Sequence, residues 1–198
     1  MKKLLIAVLI LGLGMVMMPA EGKAYTNQNV WIIVSVSVPA SVVVVNTTTT
    51  NWNIGAKPLN FVTNRDVYTI VSNDSGGPEA FRLSLQTVAS PWTNSITTNN
   101  GLNTYVLQAL FVDTTTTKPA DTEYSAQTGS DDVVTVTPVD ATATNFGNST
   151  STSTNASYVL DGEVRHLWLK YKNPNAVTVT DPGAGGPVVR LIISATVK

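Results

Sequence analysis

Three features of the 198-residue sequence predict an all-β fold, a single antiparallel β-sandwich of seven to nine strands with jelly-roll or Ig-like wiring. Short segments rich in Val, Ile, Leu and aromatic residues alternate apolar with polar, the period of a strand with one face packed on a core. Turn signals separate them, among them Asp74-Ser75-Gly76-Gly77-Pro78, Asn99-Asn100-Gly101 and Gly185-Gly186-Pro187. No stretch keeps a helical period, and the apolar faces alternate instead of running unbroken as in a parallel sheet.

The first residues carry Lys2 and Lys3, an apolar run from Leu4 to Met18, then Pro19 and a polar stretch ending at Ala24. This is the pattern of a secretory signal peptide with cleavage after Ala24, since the run is short for a membrane span and lacks a stop-transfer flank. An uncleaved anchor is the alternative. Residues 25–198 are then expected to form one β-sandwich domain, long enough to bury roughly 70% of its unfolded surface without disulfides or metal. The chain has no cysteine, so a lipid anchor on a cleavage-site cysteine is excluded. The expected location is secreted, extracellular or cell-surface, with the periplasm left open. Of 12 basic and 13 acidic residues, Lys2, Lys3, Lys23 and Glu21 lie in the leader, so the remainder is weakly acidic. Such a surface gives no footprint for nucleic acid, and no membrane contact is expected after signal cleavage.

Val30 to Val45 opens the mature chain as a strand broken at Pro39, which cannot donate to a ladder. Val30, Ile32, Val34, Val36 and Val38 share one face and Trp31, Ile33, Ser35 and Ser37 the other. Arg65–Asn73 and Ala80–Ala89 read as two strands joined across the Asp74–Pro78 turn, a hairpin. Thr104–Asp113 is apolar on both faces, and Asp132–Pro138 reads as a short strand. Asp140–Ser157 is a low-complexity loop of Ser, Thr, Asn and Ala. His166–Asn173 turns Leu167, Leu169 and Tyr171 inward, and Val188–Lys198 puts Val189, Leu191, Ile193, Ala195 and Val197 on one face.

No set of groups for catalysis can be assembled. Asn73-Asp74-Ser75-Gly76-Gly77-Pro78 looks like the nucleophile motif of chymotrypsin-type proteases, with Asn for the leading glycine. However, the one histidine, His166, follows the serine, whereas in that family both histidine and aspartate precede it. His166 is expected at the surface or rim. Zinc needs three or four His, Cys or carboxylate ligands, which one histidine and no cysteine do not supply. Asp113, Asp121, Glu123, Asp131 and Asp132 offer oxygen ligands for calcium, but without an EF-hand or repeat spacing they read as a solvated acidic loop. Glu163 and Asp161 flank Gly162 in a turn, no basis for a glycosidase carboxylate pair. No cofactor is expected. Trp52 and Trp92 fall in loops, where exposed aromatics stack on polysaccharide or cap the ends of a sandwich. Trp31 and Trp168 lie opposite the main apolar stripes and suggest a second buried surface.

An apolar strand at a chain terminus templates association through its unpaired backbone, and residues 26–56 carry no charge to prevent it. It must pair either within its own sandwich or in a groove of the next subunit, where main-chain bonds give affinity and alternate side chains give register. The leader, the apolar first strand, the strand-turn-strand RDVYTIVSNDSGGPEAFRLSLQTVAS, and the closing pair HLWLKYKNP and VVRLIISATVK together resemble the TasA and camelysin-type secreted β-sandwich proteins. The likeness covers most of residues 30–113 and 164–198; the helical insertions of some members have no counterpart here. Members build extracellular fibres by donating the N-terminal strand. The resemblance therefore implies self-association into a matrix fibre or pilus-like assembly, with Val30, Ile32, Val34, Val36 and Val38 as the donor stripe. A monomeric carbohydrate-binding or adhesive module using Trp52 and Trp92 is the rival reading.

Overall fold

A computed structural model of the protein describes residues 28–36, 42–44, 50–87, 90–114, 116–125, 131–147, 156–178 and 187–198. The signal peptide expected over 1–24, the break at Pro39, and Val38 and Val45 lie outside them. The strands are β1 (Gln28–Val36), β2 (Val42–Val44), β3 (Asn51–Lys57), β4 (Val62–Asn64), β5 (Thr69–Asn73), β6 (Glu79–Leu85), β7 (Thr93–Asn94), β8 (Thr104–Val112), β9 (Val139–Asp140), β10 (Val164–Lys172) and β11 (Val188–Val197). These are 11 among the described residues, more than the seven to nine expected, because several are edge pieces of two or three residues.

The fold is all-β, with two sheets. One runs β3-β1-β11-β6-β9 and the other β2-β5-β10-β8-β7, with β4 also paired to β10. The sheets are mixed, not purely antiparallel: β1 runs parallel to β11, and β7 parallel to β8. Both exceptions pair segments that no tight turn connects.

The inward faces of both sheets meet in one core, the layering of a β-sandwich. The first sheet contributes Val30, Ile32, Val34, Leu83, Leu191 and Ile193; the second contributes Leu107, Phe111, Leu167, Leu169 and Tyr171. Phe81 and Phe111 bridge the layers at 5.5 Å between ring centroids, tilted by 56°. Strand β10 turns Leu167, Leu169 and Tyr171 into this core, fully buried as expected, while His166 and Trp168 on its other face are buried as well. Strand β8 is buried on both faces, as its sequence predicts, because a second, smaller cluster covers its outer side: Leu110, Val112, Tyr124 and Trp168, with Tyr68 packed against it.

Four expected elements differ. Arg65–Asn73 is not one strand: β4 ends at Asn64 and β5 starts at Thr69, and the buried Arg65 guanidinium occupies the break, donating to Thr69 Oγ1 at 2.9 Å. The Asp74–Pro78 turn is not a hairpin but a corner, since β5 and β6 lie in different sheets. Buried Asn73 holds it: Nδ2 donates to Gly77 O at 2.7 Å and Val159 O at 2.8 Å, and Oδ1 accepts from Ser75 N at 3.0 Å. Asp132–Pro138 crosses between sheets instead of extending one. Ala109 N donates to Asp132 O and Val134 N to Leu107 O on the β8 side, while Leu85 N of β6 donates to Thr135 O. The low-complexity stretch from Asp140 is anchored where it is described, by the buried Ala141, Phe146 and Ala156.

Candidate functional site

Val30, Ile32, Val34 and Val36 of the stripe expected to be donated lie in β1, which sits inside its own sheet between β3 and β11. Its register against β11 is parallel, Trp31 to Val188 through Val36 to Ile193. Against β3 it is antiparallel, with Gln28 opposite Lys57, Val30 opposite Gly55, Trp31 opposite Asn53, Ile32 opposite Trp52 and Ile33 opposite Asn51. Between Val30 and Trp31 the register shifts by one, leaving Ile54 as the extra residue of a β-bulge. Gly55 adopts φ +71°, a left-handed conformation glycine enters without strain, and its amide donates to Asn53 Oδ1 at 2.9 Å.

Val30 and Ile32 are fully buried and Val34 nearly so. Val36 belongs to the strand, but its side chain, like Val38, is outside what is described. Two bonds close the seat: Trp31 N donates to Pro187 O at 3.3 Å and Val34 N to Thr50 O at 2.8 Å. Among the described residues β3 has β1 as its one sheet partner, and the bulge in that pairing twists β3, a feature that discourages further strand addition.

The tryptophans sort differently from expectation. Trp52 is not in a loop: it lies in β3, half-buried against the main core. Trp92 does lie in a connection but is buried at 7% exposure, so it offers no open stacking face. With Thr87, Ser90, Pro91, Thr93, Asn94 and Val136 it lines a cavity of about 240 Å³ that has no charged side chain. Trp168 lines the second buried surface predicted for it, whereas Trp31 is 42% exposed on the outer face of the other sheet, beside Val188.

His166 is not at the rim. Tyr68 covers it, the rings stacked at 3.8 Å, and only 6% of it is exposed. Ser75 is exposed at the corner turn, where its hydroxyl donates to Gly77 O at 2.9 Å. The acidic loop does not gather: among the described residues no group of three or more His, Cys, Asp or Glu is placed to hold a metal. Asp121 instead accepts from Asn64 Nδ2, and Lys170 Nζ donates to the Asp121 carbonyl.

Asp132 is the functional-looking group that sequence reasoning left in a solvated loop. It is fully buried: its carboxyl accepts from Ser125 N, the Phe146 backbone amide also favours its charged form, and Gln108 Nε2 donates to the Ser125 hydroxyl at 2.7 Å. Burial pushes its carboxyl up to about 8, and nearby Asp131 adds to this. The adjoining Val133 and Val134 are the sequence signal that could have placed it inside. Arg65 is a second buried titratable group, its guanidinium brought down to about 10 by burial. Asp140 moves the other way, held below the usual carboxylate range by its hydrogen bond to Arg82.

Comparison of the sequence with protein-family models finds no match, and comparison with curated proteins finds none either.

Proposed function

We propose that the protein is an exported, non-enzymatic structural subunit that builds an extracellular fibre, pilus-like filament or surface assembly by exchanging β1 between copies. The observation that carries this reading is the seat of β1. No strand precedes it among the described residues, its inward side chains are buried, and it bridges β3 to the rest of the sheet. A copy of β1 from a neighbour makes the same bonds in the same slot without any other strand changing place. Passed head to tail, the exchange does not close, and it yields a filament. Export after cleavage at Ala24 and the sandwich formed by residues 25–198 complete the proposal. The absence of catalysis in it is supported by the separation of roles at the two suspect residues: Ser75 bonds within its own turn, and His166 packs under Tyr68.

The cysteine-free chain makes the test direct. Ile33→Cys with Asn51→Cys places thiols at directly opposed positions of β1 and β3, within the reach of a disulfide. Oxidised protein run without reductant is expected as a covalent ladder, and deletion of residues 26–38 is expected to give chains that do not polymerise but bind the matching peptide. Cross-linking confined to single chains, with normal multimers from the truncation, overturns the proposal.

A second reading rests on the uncharged cavity beside Trp92, whose hydroxyl and amide lining suits a neutral polysaccharide terminus. Binding in a polysaccharide pull-down that is lost on Trp92→Ala and kept on Trp52→Ala supports it; no binding by the unaltered protein removes it.

A further inference from the structure

The inward stripe of β1 is nearly featureless, which raises the question of what fixes its register. A slip by one residue is forbidden, because it turns Val30, Ile32 and Val34 to the outside. A slip by two keeps an aliphatic residue at each of these inward sites in one direction only. In the other direction it carries Gln28 into the fully buried place of Val30, where a polar amide has no partner to expect. The permitted slip brings Ile32 opposite Gly55, Val34 opposite Trp52 and Ser35 opposite Asn51.

We infer that the slot between β3 and β11 reads its strand at one dipeptide, Trp31-Ile32, and that this pair selects both the register and the partner: a strand from a second copy of this chain. The inference rests on the exchange reading above. Ile32 is the one inward residue of the stripe larger than valine, and it lies opposite Trp52 on one side and Val189 on the other. A site packed around isoleucine loses contacts when valine enters, and the valine site opposite Gly55 is overfilled when isoleucine enters. Trp31 adds the second constraint from the outer face. It stands beside Val188 and opposite Asn53 at the bulge, and its amide bonds to Pro187 O. The slip moves that indole away from Val188 to the level of Ala56. Ile33, further along the outer face, carries no comparable bulk.

Two cysteine pairs read the register. Ile33→Cys with Asn51→Cys reports the observed pairing, and Ser35→Cys with Asn51→Cys reports the slipped one. In the otherwise unaltered sequence the first pair is expected to close and the second to stay reduced. Exchanging the key residues, Ile32→Val with Val34→Ile, conserves total volume and moves the isoleucine by two. The slipped disulfide is then expected to rise roughly tenfold. Trp31→Ser alone, a change at a partly exposed site, is expected to raise it severalfold in a chain that still folds. Retention of the original pairing in both backgrounds overturns the inference. The gel position of the linked product, single chain or ladder, separately reports whether strands are exchanged at all, so the two claims fail independently.

Discussion

Tyr68 lies flat on His166, with ring centroids 3.8 Å apart and planes 12° apart, and the same phenol ring leans on Trp168 at 5.3 Å. The segment Arg65–Tyr68 that interrupts the β4 and β5 region thereby lids the smaller cluster. Tyr68→Ala should cost about 2 kcal/mol through lost ring contact and partial exposure of Trp168. In a chain of this size that lowers the melting temperature by roughly 4–8 °C, measured by thermal denaturation alongside indole fluorescence.

Asp132 predicts a pH dependence of stability whose sign follows from its burial. Its carboxyl titrates near 3.8 when unfolded and near 8 when folded, so between those values the unfolded chain releases the proton and the folded chain keeps it. Stability contributed at this site is therefore greatest below about pH 4, falls as pH rises through the window, and levels off above about 8. Asp132→Asn, which keeps an oxygen for the Ser125 amide, should flatten that slope and be more stable than the unaltered protein at pH 8.5. Urea midpoints at pH 5 and 8.5 measure the difference.

The corner at Asn73 should be expensive to break. Asn73→Ala removes the donor to two carbonyls and the acceptor for the Ser75 amide inside a closed site. A loss of about 2–3 kcal/mol is expected in denaturant titration, while Ser75→Ala, at an exposed residue in the same turn, should change stability by less than about 1 kcal/mol.

Two glycines predict two kinds of failure. At Gly55 an added Cβ meets nothing within 4 Å, so the obstacle is the backbone angle alone. Gly55→Asn should be tolerated and Gly55→Val should cost about 1–2 kcal/mol. At Gly147 a Cβ would stand 2.7 Å from the Ala143 carbonyl oxygen, so even Gly147→Ala should displace the turn that feeds Phe146 into the core. Melting temperatures of the three variants, ordered Gly55→Asn above the other two, check both statements.

Between the sheets, Phe81→Ala should remove about 3–5 kcal/mol because it empties one half of the aromatic bridge to Phe111, whereas Trp31→Ser on the outer face should cost about 1 kcal/mol or less. Paired denaturant titrations of the two variants give the comparison.

What the sequence made legible was whatever depends on neighbours along the chain. Alternation in β10 and β11 placed Leu167, Leu169, Leu191 and Ile193 correctly, though not Val197, which stands exposed at the end of β11, and the double-sided apolar run of β8 foretold a cover on its outer face. Partner choice was not legible. The composition of Asp74–Pro78 shows that the chain reverses but not whether it stays in the same sheet, and nothing local announces that β1 runs beside β11. Charged and polar residues misled for a similar reason. Asp132 and His166 read as surface groups because the residues that enclose them, Ser125 and Tyr68 among others, are brought up by the fold or stand outside the strand pattern. For the candidate site, Val30, Ile32 and Val34 were legible as a buried face, while the bulge opposite them was not, since the composition of Asn53–Lys57 reads as a turn and the segment is part of β3.

The side-by-side placement of β1 and β11 sets an order of events during synthesis. The slot for β1 is half built until Val188–Val197 has emerged, so the aliphatic ribbon travels ahead of its wall for almost the whole length of the chain. A newly made chain therefore passes through a stage with a sticky leading end and, moments later, a vacant groove, the stage at which an apolar strand is most exposed to neighbouring chains.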